Sequence, residues 1–233
     1  MLKVENLRTF KMRKTIIERL DNDWRYILNA CRNTVNKGNS KKDVVSNHFK
    51  QSIMIAEHSP IRDWRVAWKW EGIPSWVSVH FCRHWLGFLH FVSTQRTDRT
   101  GVDRNKKPQD TPVNMKCEAN AQALINMGKV RLCYKAAPET RQYMEDVKAT
   151  LYDINEGEVA NVIVPSCIYR CGCPEMGSCR YWKKFCEEHS DIDFTDIRSR
   201  YIAYNDDFKK SHSIESNFLF FKYLRLYLMY RNN

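Results

Sequence analysis

One stretch, residues 73–103, constrains the fold more than any other part of the chain. It opens at Pro74, a residue that suits the first turn of a helix. Apolar or small side chains then recur at roughly helical spacing, at Trp76, Val79, Cys82 and Leu86. Arg83 and His84 fall at the predicted end of this helix, where their charge is poorly solvated unless an anion meets it. The stretch therefore predicts a buried helix that runs into a strand and offers a cationic end to a phosphate or carboxylate.

Composition favours one globular unit with an anionic partner. The chain has 233 residues, of which 43% are hydrophobic, enough for a substantial core. Its formal net charge of +11 would raise the local concentration of phosphates, so nucleotides and nucleic acids both qualify as ligands. The sequence shows neither an apolar run long enough to span a bilayer nor a signal-peptide pattern. We therefore expect a cytoplasmic protein without a membrane partner.

Hydrophobic periodicity predicts the elements that precede the focal helix. Residues 14–34 read as one packing helix, with a single apolar face made by Ile17, Leu20, Trp24, Ile27, Leu28 and Cys31. Residues 36–42 are polar and contain glycine, which predicts a loop, and a second helix should cover residues 45–58. Residues 65–70 alternate apolar and polar side chains, which predicts a half-exposed strand ended by Gly72.

Downstream of the focal helix, residues 89–93 read as an extended segment, and the polar, basic residues 94–112 as a mobile loop over the site. Residues 113–117 predict a short strand, and residues 118–127 a helix with Gly128 as its C-cap. Another helix should begin at Pro138, with a buried stripe made by Tyr143, Met144, Val147 and Leu151.

Three separate blocks of sequence resemble flavin-dependent thymidylate synthases. In the focal stretch, a proline-opened helix leads into Arg83-His84 and then Ser93, as in the signature of that family. Further on, the family's Asn-Ala-Arg helix and the residues after it are matched in order and spacing by Asn120-Ala121-Gln122, Asn126, Arg131, Ala136 and Glu139-Thr140-Arg141. Upstream, the segment EHSPIRDW, with His58 and Ser59, is similar to a flavin-contacting element of the family. The resemblance covers residues 57–150.

The chain departs from the family pattern at informative positions. Trp85 replaces the second arginine of the signature, His90-Phe91 replace Asn-Glu, and Gln95 replaces the last arginine. Each lost arginine removes a charged hydrogen bond to phosphate or uracil worth ~1.5–3 kcal/mol. Arg96, Arg99 or Arg104 could compensate; otherwise the nucleotide or its modification differs. A family-like segment, residues 158–165, also follows the Asn120 helix instead of preceding it, with Asn161 at its arginine position.

The resemblance implies an α/β (α+β) fold, with a mixed or antiparallel sheet flanked by helices. Residues 1–155 would form the flavin-dependent thymidylate synthase-like core. Residues 156–233, which hold the cysteines and a C-terminal helix with Lys222 and Arg225, would extend the same globular unit.

The implied activity is one-carbon transfer to C5 of a pyrimidine nucleotide, dUMP or a relative, with FAD as cofactor. NADPH and methylene-tetrahydrofolate would be co-substrates, in a homo-oligomer, by resemblance a tetramer. The resemblance implies a catalytic role for Arg83, Ser93 and Arg131. Cofactor contacts would come from His58, Ser59, Arg83, His84, Asn120, Asn126 and Arg131. Asn120 and Asn126 lie six residues apart, on different helix faces, so one of them could be a cap.

Two further features keep alternatives open. Cys167, Cys171, Cys173 and Cys179 have enough thiolates for a structural zinc or an iron–sulfur centre, although their spacing is not that of paired zinc-ribbon cysteines. Buried free thiols, or a disulfide or redox role, are the other readings. The net charge and the basic loop of residues 94–107 also allow a nucleic-acid-binding protein that keeps the fold without catalysis.

Overall fold

The computed structural model describes residues 14–212 and contains a four-stranded antiparallel sheet. Its strands, in chain order, are β1 (Ile16–Asp21), β2 (Arg65–Pro74), β3 (Phe88–Val92) and β4 (Pro112–Asn120). Their order across the sheet is β1-β2-β4-β3, and each neighbouring pair is antiparallel. The α+β class is confirmed, and of the two predicted sheet types the antiparallel one is present.

Helices account for most of the remaining regular structure. The first four are α1 (Trp24–Asn33), α2 (Asn47–Ile55), α3 (Ser75–Cys82) and the short α4 (Thr97–Thr100). The next five are α5 (Ala121–Arg131), α6 (Pro138–Asp153), α7 (Gly157–Ala160), α8 (Ser166–Arg170) and α9 (Tyr181–Glu188). A tenth helix, α10, covers residues 197–212, and 3-10 turns cover Ser59–Asp63 and Arg104–Lys106.

One face of the sheet forms the core. Along β2, Val66, Trp68 and Trp70 are buried while the side chains between them are partly or fully exposed, as a period of two requires. The indole rings of Trp68 and Trp70 meet edge to face with centroids 5.6 Å apart. Trp70 also contacts Phe81 of α3 at 4.7 Å and Tyr143 of α6 at 5.3 Å. Helices thus cover the apolar face, and α3 is fixed against it by its buried side.

The predicted helix over residues 14–34 is wrong in its first half, which is strand β1. The register of β1 against β2 shifts between Ile17 and Arg19, so Ile17 pairs with Trp68 and Leu20 with Val66. This bulge places two residues three apart on the same face, which imitates helical spacing. The helix begins only at Trp24, where the Asp23 carboxylate caps it by accepting from the backbone amides of Arg25 and Tyr26.

Two glycines have other roles than those predicted. Gly72 does not end β2; with φ of +65° it forms a bulge, and pairing resumes where Ile73 meets Val113. Gly128 is not a C-cap but lies inside α5, where a Cβ would come within 2.7 Å of Ile163 Cγ2. Helix α5 begins at Ala121, not at residue 118, because β4 continues through Asn120.

Most of the other predicted elements are present. The focal helix is α3, but it ends at Cys82 and buries Val77 and Phe81, whereas Val79 and Leu86 of the predicted apolar spacing are exposed. Residues 36–42 form no helix or strand, α2 lies within the predicted residues 45–58, and α6 begins at Pro138. The predicted stripe of α6 is buried at Tyr143, Met144, Val147 and Leu151. No helix among residues 14–212 is long and apolar enough to cross a membrane.

The core crosses position 155. It includes the apolar run Val159, Ala160, Val162, Ile163 and Val164, which packs with residues of β2, α5 and α6. The proposed division into residues 1–155 and 156–233 stays a prediction. The predicted C-terminal helix with Lys222 and Arg225 lies outside the described residues.

Candidate functional site

The end of α3 fixes the first two candidate residues. Val77, Ser78 and Phe81 are buried on the inner side of α3, so its last turn cannot rotate freely. Arg83 is the C-cap, and the backbone amide of His84 donates to the Phe81 carbonyl at 3.0 Å. Arg83 is exposed and His84 is partly buried. The chain therefore turns here with the guanidinium outside and the imidazole inside.

Arg131, the last residue of α5, joins the two helices. Its Nε donates to His84 Nε2 at 2.9 Å, and its terminal Nη2 donates to the His80 carbonyl. A cation suits a helix C-terminus, where carbonyl groups are left without partners. Arg131 is thus brought to the Arg83–His84 turn, from which it is 47 positions distant in the sequence.

The pKa values of His84 and Arg131 are both lowered at this place. Burial, and then the charge of Arg131, lowers the pKa of His84 to about 4, so its ring is neutral at neutral pH. Its Nε2 is then free to accept the Arg131 hydrogen bond, which leaves the ring proton on Nδ1. The pKa of Arg131 is itself lowered, first by burial and then by the charge of Arg83. Arg131 is therefore hydrogen-bonded to a neutral imidazole and is subject to the positive charge of Arg83.

His80 supports this arrangement from the preceding helical turn. Its Nδ1 lies 2.8 Å from the Thr140 hydroxyl of α6, and its ring meets that of Trp76 edge to face at 5.5 Å. Burial, followed by the charges of Arg131 and Arg83, lowers its pKa. Among residues 14–212, neither Arg83 nor Arg131 has a carboxylate in an ion pair, so an anion would complete the site.

Asn120 lies at the opposite end of α5. Its Oδ1 accepts from the Ala123 amide at 2.8 Å, so it is the N-cap, as one of the two asparagines was expected to be. Its backbone amide donates to the Gly87 carbonyl at 3.0 Å. Gly87 has φ of +71°, and a Cβ there would lie 2.4 Å from Asn120 Nδ2. The contact fixes the residues after His84 against the start of α5.

The short connection from His84 to Gly87 therefore runs alongside α5. One end meets Arg131 and the other meets Asn120. Between them, Trp85 is 73% and Leu86 65% exposed. Two large apolar side chains are thus exposed to solvent between Arg131 at one end of α5 and Asn120 at the other. Such exposure is typical of a surface that contacts a ligand or a partner.

The sequence did not predict a second charged group, formed by Glu57 and Lys129 on the side of α5. Glu57 accepts from Lys129 Nζ at 2.8 Å and also from Gln122 Nε2, and Lys129 Nζ lies 3.6 Å from the centroid of the Tyr169 ring. Asn126 is exposed on the same helix, where its Oδ1 lies 3.4 Å from Gln122 Nε2. Their i, i+4 spacing was visible in the sequence, but the partner Glu57 was not.

His58 and Ser59 follow Glu57 and are exposed at the start of a 3-10 turn. Ser59 lines a cleft of about 650 Å³, whose polar walls include Tyr26, Asn29, Asn33, Asn39 and Asp63. The cleft lies between α1 and the turn. His58 and Ser59 are therefore held near the side of α5 by the hydrogen bonds of the neighbouring Glu57. They make no hydrogen bond to Arg83 or Arg131 in the described part of the chain.

Ser93 lies at the end of β3, apart from the guanidinium pair. Its amide donates to the Asn114 carbonyl at 2.8 Å, and its hydroxyl oxygen accepts from the Asn114 amide at 3.0 Å. Gln95 is partly buried, and its Nε2 has no hydrogen-bond partner in the part of the chain that the structure describes. Two of the departure positions, Trp85 and Gln95, thus hold side chains that are exposed or unsatisfied.

The four cysteines predicted to bind metal do not form such a site. Within residues 14–212, no group of three or more His, Cys, Asp or Glu side chains is arranged to hold a metal ion. Cys167 is buried, Cys173 is partly buried, and Cys171 and Cys179 are exposed. Cys171 donates its thiol hydrogen to the Phe194 carbonyl at 3.0 Å, away from the others. The zinc prediction therefore receives no support.

Comparison with known proteins identifies the fold. No family model and no curated protein sequence matches the chain. Among solved structures it is similar to a UMP/dUMP methylase, PolB from Streptomyces cacaoi, bound with 5-Br dUMP. The identity is 11%, with 65% of this chain and 95% of that chain covered at a TM-score of 0.52. It is also similar to the flavin-dependent thymidylate synthase ThyX from Helicobacter pylori complexed with FAD and dUMP, at 12% identity, with 58% and 92% coverage and a TM-score of 0.47. At such identities the likeness concerns the fold.

Proposed function

We propose that this chain is an enzyme that transfers a one-carbon unit to C5 of a pyrimidine nucleotide, dUMP or a related monophosphate. The observation that carries the proposal is the pair of guanidinium groups of Arg83 and Arg131, which no described carboxylate neutralises, with neutral His84 between α3 and α5. Guanidinium groups bind phosphate with two hydrogen bonds at once. The fold shared with a protein named as a UMP/dUMP methylase supports the same substrate class.

We also propose FAD as the cofactor, on the three sequence blocks and on the chemistry of the side chains. Arg83 and Arg131 are donors for a diphosphate, and Asn120 offers a carboxamide held in a fixed orientation by its cap bond. His84 would orient Arg131 without adding a charge. Once bound, the flavin would supply the redox chemistry of the transfer. NADPH and methylene-tetrahydrofolate are proposed as co-substrates on the resemblance alone.

In the mechanism, this chain binds and orients. Arg131 holds an anionic oxygen with the donors that His84 and His80 leave free. Trp85 and Leu86 would cover one side of the ligand and exclude water from it. Ser93 is proposed to contact the nucleotide only if its hydroxyl, which already accepts from the Asn114 amide, donates its proton outward.

A homo-oligomer, by resemblance a tetramer, is part of the proposal. Leu89 and Phe91 on β3 are 55% and 67% exposed, and they adjoin Trp85 and Leu86 in the sequence. Exposed apolar side chains of this kind are commonly covered by a partner, and a second copy is the partner that the family resemblance implies. Light scattering coupled to size exclusion would measure the number of copies.

The first test is an absorbance spectrum of the purified protein with and without added FAD. Bound flavin, and conversion of dUMP to dTMP with NADPH and methylene-tetrahydrofolate, would support the proposal. Arg131→Met should weaken binding of dUMP or FAD by roughly 10- to 100-fold, the equivalent of ~1.5–3 kcal/mol. Arg170→Met, an exposed arginine that ends α8 as Arg131 ends α5, is the matched control. Equal binding by both variants would contradict the role given to Arg131.

The second candidate is nucleic-acid binding without catalysis. It is favoured by the exposed 3-10 turn Arg104–Lys106 and by the net charge of +11. A protein that binds no flavin but binds DNA or RNA with a steep loss of affinity as salt rises would replace the enzyme proposal.

A further inference from the structure

The segment after α5 is covered by the loop that joins α8 to α9. The rings of Tyr134 and Tyr181 stack with centroids 4.5 Å apart, and Lys135 Nζ donates to the Gly177 carbonyl at 2.7 Å. Leu132 and Cys179 both line a cleft of about 730 Å³ at this place. Cys133 therefore lies under the loop of residues 171–180, which itself carries cysteines.

Cys133 has other thiols as electrostatic neighbours. Its pKa is raised chiefly by burial, is lowered by a hydrogen bond from the Lys135 amide, and is raised by the charges of Cys179, Glu175 and Cys173. Of these charges, that of Cys179 acts most strongly on it. The Tyr134–Tyr181 stack and the hydrogen bond from Lys135 to the Gly177 carbonyl hold the two chain segments that carry these thiols against each other.

Accessibility separates the roles of the two thiols. Cys179 is exposed at the edge of the cleft, where an oxidant can reach it, whereas Cys133 is only partly exposed. Cys167, which also neighbours Cys133, is buried, and burial raises its pKa to about 12, so it reacts poorly. The loop residues 174–180 are exposed, so a small shift of the Cys179 backbone disturbs little packing.

We propose that Cys179 and Cys133 are a peroxide-sensitive dithiol that closes into a disulfide and locks the loop of residues 171–180 onto the end of α5. The Cys179 thiolate attacks one oxygen of hydrogen peroxide; the O–O bond breaks, hydroxide leaves and takes up a proton, and Cys179 becomes a sulfenic acid. The Cys133 sulfur then attacks the Cys179 sulfur, forming the S–S bond and releasing a second water. In total, two thiols lose two electrons and two protons, and one peroxide becomes two waters.

This link would act on the candidate site through the chain. Cys133 follows Arg131 by only two residues, so a disulfide there restrains the last turn of α5, which carries the guanidinium. The oxidised protein would therefore hold Arg131 against His84 more rigidly. The proposal does not depend on which ligand the site binds, because the bond is detected directly.

The experiment uses the full-length protein, reduced and freed of reductant, then treated with equimolar hydrogen peroxide and alkylated. Digestion without reduction, followed by fragmentation in the mass spectrometer to assign the bond among Cys171, Cys173 and Cys179 of one tryptic peptide, should find a Cys133–Cys179 pair that dithiothreitol separates. Trypsin should cut after Arg180 more slowly in the oxidised protein. Cys179→Ser should abolish the pair, whereas Cys186→Ser, a partly buried cysteine on α9, should retain it.

Three results would overturn the proposal. One is a disulfide in which Cys133 is joined mainly to Cys173; another is full alkylation of Cys133 while Cys179 is oxidised to the sulfinic acid. The third is a yield of the pair that falls on dilution, which would indicate a bond between molecules. Because the peptide map of the unmutated protein decides each of these, the proposal remains testable if Cys179→Ser does not fold.

Discussion

A buried lysine offers the sharpest test of how the structure is held together. Lys148 of α6 is fully buried, and its Nζ lies within hydrogen-bonding distance of three acceptors, the Ala160 carbonyl at 2.6 Å, the Ile163 carbonyl at 2.9 Å and Asn205 Oδ1 at 2.6 Å. These acceptors belong to the segment after α6 and to α10. We predict that Lys148→Met loosens both from α6, since methionine has a similar length and no donor.

The magnitude follows from what each acceptor keeps. Asn205 Oδ1 still accepts from the Tyr152 hydroxyl at 3.0 Å, and the Ala160 carbonyl from the Ile163 amide at 3.1 Å. The Ile163 carbonyl bears the largest loss. One acceptor without its donor costs ~1–3 kcal/mol and two weakened hydrogen bonds ~0.5–1.5 kcal/mol each, so the total is roughly 2–6 kcal/mol.

The pH decides how much of this loss is visible. Burial, followed by the charge of Lys209, holds the pKa of Lys148 well below its usual value near 10.5. Between the lowered pKa and about 10.5 the unfolded chain binds more protons than the folded one, so stability of the unmutated protein rises with pH. The rise is at most about 1.4 kcal/mol per pH unit, and Lys148→Met lacks it. The difference between the two proteins should therefore be largest near pH 9.5 and smaller at pH 7.5.

Urea unfolding followed by tryptophan fluorescence, at one protein concentration and at both pH values, measures the difference. The control is Lys210→Met, because Lys210 is an exposed lysine of α10 whose ammonium makes only a surface ion pair with Asp207, at 3.8 Å. It should change the free energy of unfolding by less than about 0.5 kcal/mol. A loss below about 1 kcal/mol for Lys148→Met at pH 9.5, or a difference that does not shrink at pH 7.5, would refute the reasoning.

Three further predictions concern the site. Gly87→Ala should lower the free energy of unfolding by ~1–3 kcal/mol, because Gly87 has a positive φ and a Cβ there would clash with Asn120, and it should also lower ligand affinity. Calorimetric melting measures the stability and titration calorimetry the affinity. Gly38→Ala is the control, because a Cβ at Gly38 meets no atom within 4 Å. The pKa of His84 is about 4 in the folded protein and near 6.5 in the unfolded chain, so the unfolded chain binds more protons between these pH values. The free energy of unfolding should therefore fall by roughly 3 kcal/mol at most as the pH drops from about 6.5 to 4. A His84→Gln protein with the same acid unfolding profile would contradict this. Arg131→Lys should keep the positive charge but lose the guanidinium donors that bond His84 and the His80 carbonyl. Titration with nucleotide should therefore show weaker binding than for the unmutated protein. Equal affinity would contradict the role given to these hydrogen bonds.

The sequence predicted the secondary structure correctly where the hydrophobic residues keep a single spacing along the whole element. The alternation in β2 and the apolar stripe of α6 were read correctly, because a flat strand and a long helix repeat their pattern without interruption. It failed at β1, where a bulge converts a period of two into a spacing of three between Ile17 and Leu20. It also failed at Gly128, whose place inside α5 depends on Ile163, a contact that only the fold creates.

The site shows the same division. Arg83, His84 and Arg131 were named from a family pattern, and the structure brings them together at the junction of α3 and α5. Glu57 was not named as a site residue, because its bonds to Gln122 and Lys129 join residues 65 and 72 positions apart. Local motifs therefore located the donors, while the counter-charges that fix them came from distant parts of the chain.

The length of α5 restricts what can bind along it. Asn120 caps its first turn and Arg131 ends it, and 11 residues at about 1.5 Å each place the two ends about 16 Å apart. Packing of Gly128 against Ile163 keeps the helix seated, and the connection from His84 to Gly87 is anchored to both ends. A ligand that contacts both Asn120 and Arg131 must reach from the first turn of the helix to its last. Either a dinucleotide lies along the helix or two ligands share it, so Asn120→Ala and Arg131→Met should weaken the same ligand in the first case and different ligands in the second.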